Sequence, residues 1–178
     1  MTLTAVQTAV FDTFGTLYVG QLADYSSNAL IDGVRSFRTE TVVNFGRGVV
    51  KGTANQQNDS VRTPYGVKTP LAGSVLADIV GIAILTQSSS SNSSNEAVTV
   101  RAKTMIPVAE VGSGAIVGAL VPAGITIAHG DPVYMSVSHA TIPVGGFSNA
   151  AATGLIGPIV GATWYGAAAA STVGKIKI

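Results

Sequence analysis

The residues that could carry chemistry are few, and their spacing matches no catalytic or metal-binding pattern. The chain has two histidines, nine carboxylates and no cysteine. His129 and His139 lack the i, i+2 or i, i+4 spacing that brings two metal ligands together on one strand or helix. We therefore expect no metal site, no bound cofactor and no disulfide.

The serines and carboxylates also lack a catalytic arrangement. The sequence has no Gly-x-Ser-x-Gly elbow, and the serine cluster at 87–95 is typical of a solvated loop. The carboxylates are spread along the chain without a close pair for acid–base work or for a calcium loop. The sequence predicts that the protein is not an enzyme. A small hydrolase acting on cell-surface polymers is the alternative. It would need a catalytic cluster that the sequence does not display, and loss of a defined activity on replacing His129 or Asp131 would support it.

The composition indicates an assembly. Charged residues make up 11% of the chain and hydrophobic residues 47%, whereas an average soluble domain is roughly 25% charged. A surface so poor in charge is expected to be partly covered by other protein, because large exposed apolar patches are disfavoured on monomers.

The charge and hydropathy patterns argue against two other partners. The net charge is +1, and Lys and Arg are scattered singly, without the dense basic patch that neutralises several phosphates. Apolar runs such as Ala115–Val121 are broken well before the roughly 20 residues that a spanning helix needs. The first residues resemble no signal peptide. We expect neither nucleic acid nor a membrane as a partner.

The elements that must position these residues are predicted to be short strands. Val, Ile, Thr and Gly dominate, and strong helix formers are few. Ala97–Lys103 alternates apolar with polar residues, the period-2 pattern of a strand with one solvated face. Turn signals such as 112–114 and 129–132 separate the other candidates. These candidates are 41–43, 48–51, the end of 75–86, Met105–Val111, Ala115–Val121, Ile125–Ala128, Val133–Ser138, Leu155–Trp164 and Val173–Ile178.

Many short strands separated by turns predict an all-β fold, either an antiparallel β-sandwich or a jelly-roll-like barrel with an extended N-terminal arm. We divide the chain into an N-terminal arm or edge segment, residues 1–39, and a β-sandwich or jelly-roll-like domain, residues 40–178. The arm carries dispersed apolar residues. Val10, Phe11 and Phe14 are candidates for packing into a groove on a neighbouring protein, or the arm could add a strand to an exposed edge.

Five further residues are candidates for an interface with a partner protein or with other copies of the chain. Arg35, Arg38 and Arg47 lie near the junction of arm and sheet, where they could contact an acidic partner surface or belong to a solvated strand face. Trp164 and Tyr165 form a large amphipathic pair that could anchor an interface or fill the core.

An ordered series of short motifs runs along the chain. Gly20–Asp24 reads Gly-Gln-Leu-Ala-Asp, Asn44–Gly52 contains Phe-Gly-Arg-Gly-Val-Val-Lys-Gly, and Gly130–Tyr134 reads Gly-Asp-Pro-Val-Tyr. The chain closes with Gly161–Tyr165, an Ala-rich link and Lys175–Ile178. In this order the segments resemble the Gly-x-aliphatic-Ala-Asp, Phe-Gly-x-x-Val-x-x-Gly and Gly-Asp-x-Val-Tyr motifs, and the ending, of the tailed-phage structural cement (capsid decoration) protein family.

The resemblance implies a β-sandwich or jelly-roll-like protein without catalytic residues. Such a protein forms a homo-oligomer, a dimer or trimer, and clamps neighbouring major capsid subunits on the outside of the icosahedral head. It implies a place in the virion, on the outer surface of the capsid, after synthesis and folding in the host cytoplasm. The Ser-rich run 87–95 departs from the family pattern. A tail or host-binding virion component is the alternative.

Overall fold

The structure, a computed structural model, describes residues 17, 19–23, 34–54, 65–85 and 99–178. In these ranges it contains thirteen strands, one short 3-10 helix (Leu76–Asp78) and no α-helix, and every pairing between strands is antiparallel. The predicted all-β, antiparallel fold is confirmed. The strands are β1 (Val34–Arg38), β2 (Val43–Asn44), β3 (Gly48–Ala54), β4 (Tyr65–Lys68), β5 (Ile79–Ala83), β6 (Thr99–Val100), β7 (Met105–Glu110), β8 (Ile116–Leu120), β9 (Tyr134–Ser136), β10 (Phe147–Ser148), β11 (Leu155–Ile156), β12 (Thr163–Trp164) and β13 (Val173–Lys177).

Five strands form the first sheet, in the order β1-β7-β5-β3-β4. Its two edge strands approach each other again at a seam, where Thr39 and Val67 form a parallel bridge and the Glu40 amide donates to the Val67 carbonyl over 2.8 Å. Across the seam, Phe37 stacks on Tyr65 with ring centroids 5.9 Å apart. The first sheet therefore curls toward a closed barrel.

The central strands of the first sheet are buried on both faces. Inside the curl lies a cluster of buried side chains that we call the barrel core, and the outer face contributes to a second cluster, the sandwich core. Because successive side chains of a strand point to opposite faces, neighbouring residues divide between the two cores. Val49, Ala83 and Val108 belong to the barrel core, and Val50, Ile82 and Ala109 belong to the sandwich core.

Two smaller sheets form the second layer. Their strand orders are β10-β9-β11 and β12-β13-β8, and their apolar side chains complete the sandwich core. Trp164 is the largest fully buried side chain there, and its Nε1 donates a 3.4 Å hydrogen bond to the Ser148 carbonyl. A buried indole needs such an acceptor, because an unpaired buried N–H would cost free energy.

The edge of the second layer at β8 is covered by a segment from the start of the chain. Residues 20–23 run beside β8, where Leu22 and Val117 form an antiparallel bridge. The Gly20 amide donates to the Gly118 carbonyl over 2.7 Å. This segment supplies hydrogen-bond partners that an open edge strand would lack.

The clearest sequence prediction of a strand is partly wrong. Of the described residues 99–103 in this segment, Thr99–Val100 is a strand, and residues 102–103 form a turn. Lys103 adopts a left-handed φ of 65°, and its amide donates to the Thr39 carbonyl over 2.6 Å. This bond to a distant segment turns the chain back toward β7, and an alternating pattern cannot reveal it.

Other predicted strands are shorter than expected. Leu155–Trp164 contains two separate strands, β11 and β12, because the glycines at 157 and 161 lie in a turn between them. In the apolar stretch 75–86 the strand begins only at Ile79. It is preceded by the 3-10 helix, where the Val75 amide donates to the Asp78 carboxylate over 3.1 Å. The Asp side chain thereby favours a turn over an extended chain.

Asp131 holds the turn that precedes β9. Its Oδ2 accepts hydrogen bonds from the Ala128 amide at 2.9 Å and from Asn149 Nδ2 at 2.8 Å. The bond from Ala128, followed by that from Asn149, holds the pKa of Asp131 below its ordinary value. The turn is therefore more stable with the carboxylate ionised.

Gly81 marks the closest approach of β5 and β7, because a Cβ at this position would overlap the Ala109 carbonyl oxygen. We predict that Gly81→Ala lowers the free energy of unfolding by at least about 3 kcal/mol in urea denaturation, since backbone would have to move. Gly73→Ala is the control, because Gly73 has φ +98 and no neighbouring atom within 4 Å. It should cost only about 1 kcal/mol, from the left-handed backbone. Equal losses for the two variants would contradict the steric explanation.

Acid should weaken the Asp131 turn. Because the folded-state pKa of Asp131 lies below its ordinary value, its contribution to stability is present above about pH 4 and disappears as the pH falls through the folded-state pKa. We predict that Asp131→Asn has a lower Tm than the original chain at pH 7, and that the difference narrows on acidification in a thermal-melting series. Asn149→Ala removes one donor and should show a smaller difference at pH 7. A Tm difference independent of pH would refute this role of the carboxylate.

Candidate functional site

The second layer presents a stretch of chain without free charge. Asp131 is the only Asp, Glu, Lys or Arg between Val111 and Gly174, and its carboxylate is engaged in the turn described above. The large apolar or aromatic side chains exposed along this stretch are Val144, Val160 and Tyr165. A contact made through this surface would depend on apolar burial and neutral hydrogen bonds, with little effect of salt.

The two histidines hold local turns. His129 Nδ1 accepts the Gly166 amide at 3.0 Å, and His139 Nδ1 accepts the amides of Thr141 and Ile142 at 3.2 and 3.1 Å. In the described part of the chain, no three His, Asp or Glu side chains are grouped closely enough to hold a metal ion.

The structure places the three predicted interface arginines in different settings. Arg35 on β1 is exposed and pairs with Glu110 on β7 through a 2.9 Å Nε–Oε2 contact. Such surface pairs contribute about 0–1 kcal/mol. Arg38 is half-buried on β1 opposite Met105 and makes no ion pair with any described residue. Arg47 lies apart from both, in the connection between β2 and β3.

Arg47 is the most unusual of the three arginines. Its side chain lies against the Gly145–Gly146 turn, where a Cβ on Gly146 would approach Nη1 to 2.5 Å. Its Nε is buried and has no hydrogen-bond partner among the described residues. Burial lowers the pKa of Arg47, because the charged form is partly desolvated. We call the half-buried guanidinium and the two glycines the Arg47 recess.

The backbone under the Arg47 recess is held by hydrogen bonds. Gly145 donates to the Ser136 carbonyl and accepts from the Gly48 amide, and Gly146 accepts from the Ser136 amide, each over 2.8 Å. The buried Ser136 hydroxyl donates to the Ile142 carbonyl over 2.9 Å. Since these groups already have partners, the turn has little freedom to rearrange toward Arg47.

The aromatic pair predicted at the end of the chain divides between core and surface. Trp164 is fully buried, which is the core role that the sequence left open. Tyr165 is 44% exposed and makes an edge-to-face contact with His129, with ring centroids 5.4 Å apart. Tyr165 remains a predicted interface residue. Val10, Phe11 and Phe14 of the predicted arm lie outside the described residues.

The sequence analysis missed one surface. Residues 69–78, which we call the apolar loop, connect β4 to β5, and they expose Leu71 to 61% and Val75 to 55%. The hydroxyl of Thr69 donates to the Val42 carbonyl over 2.6 Å, so the loop is tied to a second exposed valine. The available signal was the absence of charge from Thr69 to residue 77.

Comparison with solved structures finds three matching chains. No curated protein matches the sequence. A chain in the solved structure "The capsid of Myoviridae Phage XM1" matches with a TM-score of 0.62 and 16% identity, covering 91% of this chain and 89% of that chain. At this identity the match shows a shared fold. The described residues contain no helix with the length and hydrophobicity needed to cross a bilayer.

A family model covers almost the whole sequence. The model described as "Structural cement protein (E217 gp24/Pam3 gp6)" matches residues 6–178. The matched region includes all the motifs in the order in which they occur, from Gly20–Asp24 to Lys175–Ile178, and it confirms the family resemblance seen in the sequence. The chain belongs to the phage structural cement protein family.

Proposed function

We propose that this protein binds the outside of an assembled icosahedral phage head and stabilises the contacts between neighbouring major capsid subunits. The family match over residues 6–178 is the observation that carries the proposal. The low charge content supports it, since 11% charged residues leave little to solvate a free surface. Family membership favours this role over that of a tail or host-binding component.

The stabilisation follows from linkage. A protein that binds only the assembled, expanded lattice raises the free energy needed to disrupt that lattice. Many symmetric copies would multiply a modest contact. The role requires no reaction, and we propose that the protein has no catalytic activity, no cofactor, and neither nucleic acid nor membrane as a partner.

We propose the apolar loop as a contact with the capsid. Its exposed leucine and valine side chains would be removed from water on docking, at about 25 cal/mol per Å² of apolar area buried. Its own polar groups are already paired, as in the hydrogen bonds from the Leu71 amide to Ser74 Oγ and from the Val75 amide to Asp78. Docking would therefore cost little ordering of the loop.

The remaining parts of the proposal rest on the family and the sequence. We propose that the protein acts as a homo-oligomer, a dimer or trimer, and that residues 1–39 act as an N-terminal arm or edge segment of the domain 40–178. Val10, Phe11 and Phe14 would pack on a neighbouring subunit. We propose that the chain folds in the host cytoplasm before it joins the outer surface of the virion.

Binding should depend on capsid maturation. The purified chain is expected to co-sediment saturably with expanded capsids that lack it, and not with unexpanded procapsids, and to raise the resistance of the expanded shells to heat. The same assay with residues 1–16 removed tests the arm. We expect this deletion to lower the affinity for expanded capsids. Absence of binding to either shell would refute the cement role and favour the tail or host-binding alternative.

Replacing the apolar loop side chains should weaken capsid binding. We predict that the double variant Leu71→Ser, Val75→Ser loses on the order of 10-fold in affinity for expanded capsids, because the apolar area buried on docking is lost. Met105→Ser is the matched control, since Met105 is 50% exposed on β7. Its affinity and Tm should stay close to those of the original chain. Equal affinities for the loop variant and the control would contradict the assignment of the loop.

A further inference from the structure

The Arg47 recess contains a cation that the described part of the chain does not neutralise. The one ion pair among the described residues joins Arg35 to Glu110, and Arg47 makes no hydrogen bond to any described group through its buried Nε. A guanidinium has five N–H donors, and buried charges in proteins are ordinarily paired. An unpaired, partly buried arginine therefore indicates a missing acceptor.

The missing acceptor does not come from a rearrangement of the recess. The Gly145–Gly146 turn is held by its hydrogen bonds to Ser136 and Gly48, and the carbonyl of Arg47 accepts the Ala83 amide over 3.0 Å. Gly146 has no side chain, which leaves the space in which Nη1 lies. The long arginine stem could bury itself along apolar surface while its head stays in water, but here the buried atom is a donor nitrogen of the head group.

The chemistry of the site selects one class of ligand. A guanidinium presents a planar pair of N–H donors that matches the two oxygens of a carboxylate. A phosphate of nucleic acid would favour several cations, as in the basic patches that bind such chains, whereas this recess contains one positive charge. We propose that the Arg47 recess binds an Asp or Glu side chain of the major capsid protein, an inference that rests on the proposed cement function.

The described carboxylates of a second copy of the chain are poor sources of this acceptor. Each of the four described carboxylates is engaged or recessed. Glu110 pairs with Arg35, Asp78 accepts the Val75 amide, and Asp131 accepts Ala128 and Asn149. Glu40 lies over Gly52, and its Oε1 is buried. Because Glu40 and Arg47 are both recessed below the surface, Glu40 of one copy could not reach Arg47 of another. A protruding carboxylate on a different protein fits better.

The Arg47 recess is also preorganised for binding. Burying a charge is costly, and that cost usually offsets much of the gain from a new ion pair. Here the guanidinium is already partly desolvated in the free protein, and the turn beneath it is already ordered. An incoming carboxylate would therefore form the ion pair at a smaller additional cost in desolvation and ordering, which is the advantage of a preorganised site.

The first test is the affinity of variants for expanded capsids that lack the protein. We expect Arg47→Met to lose on the order of 100-fold, because a half-buried charge pair is removed. Arg47→Lys should recover part of the affinity, since it keeps the charge without the planar pair of donors. Arg35→Met is the matched control and should bind like the original chain, because Arg35 is exposed and already paired. Thermal melts establish that each variant is folded.

The outcomes separate this inference from the proposed function. Binding by the original chain together with equal binding by Arg47→Met would overturn the inference and leave the cement function intact. If the original chain binds no capsid, the cement function fails, and the capsid partner named here fails with it.

The second test observes Arg47 in the free protein. Its Nε–H resonance in a ¹H–¹⁵N spectrum is assigned by its absence from Arg47→Lys, and it is followed during titration with acetate, with chloride at matched ionic strength as the control. A saturable shift with acetate alone is the expected result. No shift would overturn the recess as a carboxylate site. A resonance that already indicates a hydrogen bond, and that moves when one of the carboxylates outside the described residues (Asp12, Asp24, Asp32, Asp59 or Glu96) is replaced by its amide, would overturn it by showing that the chain supplies its own acceptor.

Discussion

The rest of the structure depends on a sheet that must be buried on both of its faces. In β3, β5 and β7 the side chains that point into the barrel core alternate with side chains that point into the sandwich core, so neighbours such as Ile82 and Ala83 are both buried. Charged residues are thereby excluded from the doubly buried positions of these strands, and Lys51, the charged residue inside β3, is exposed.

The fold class was predictable from the sequence because it depends on local properties. Short β-branched runs between glycine-rich turns indicate an antiparallel all-β protein, and the structure confirms it. The strand limits were less predictable, because they depend on distant contacts. Lys103 turns away from an apparently ideal strand to bond with Thr39, and a 3-10 helix at Leu76–Asp78 precedes the strand within the apolar stretch 75–86. Neither contact leaves a signal in its own segment.

The candidate site was predictable only in part, because it also depends on contacts between residues that are far apart in the sequence. The sequence identified Arg35, Arg38 and Arg47 as possible contacts, but it could not rank them. Their difference arises from partners far along the chain, since Arg35 meets Glu110 whereas Arg47 meets the Gly145–Gly146 turn. The family motifs predicted the biological class more directly than any single residue did, because they occur in order along almost the full chain, which the family model matches over residues 6–178.

The strand edges that are covered in the two layers matter for a protein whose copies are proposed to lie side by side on a capsid. The seam at Thr39 and Val67 brings the ends of the first sheet together, and residues 20–23 occupy the edge of β8. Open strand edges at high local concentration would recruit strands from neighbouring copies and lead to fibrous aggregates. With these edges occupied, crowded copies can associate through their side chains while each keeps its own backbone pairing, so a dense coat can form without domain swapping at those edges.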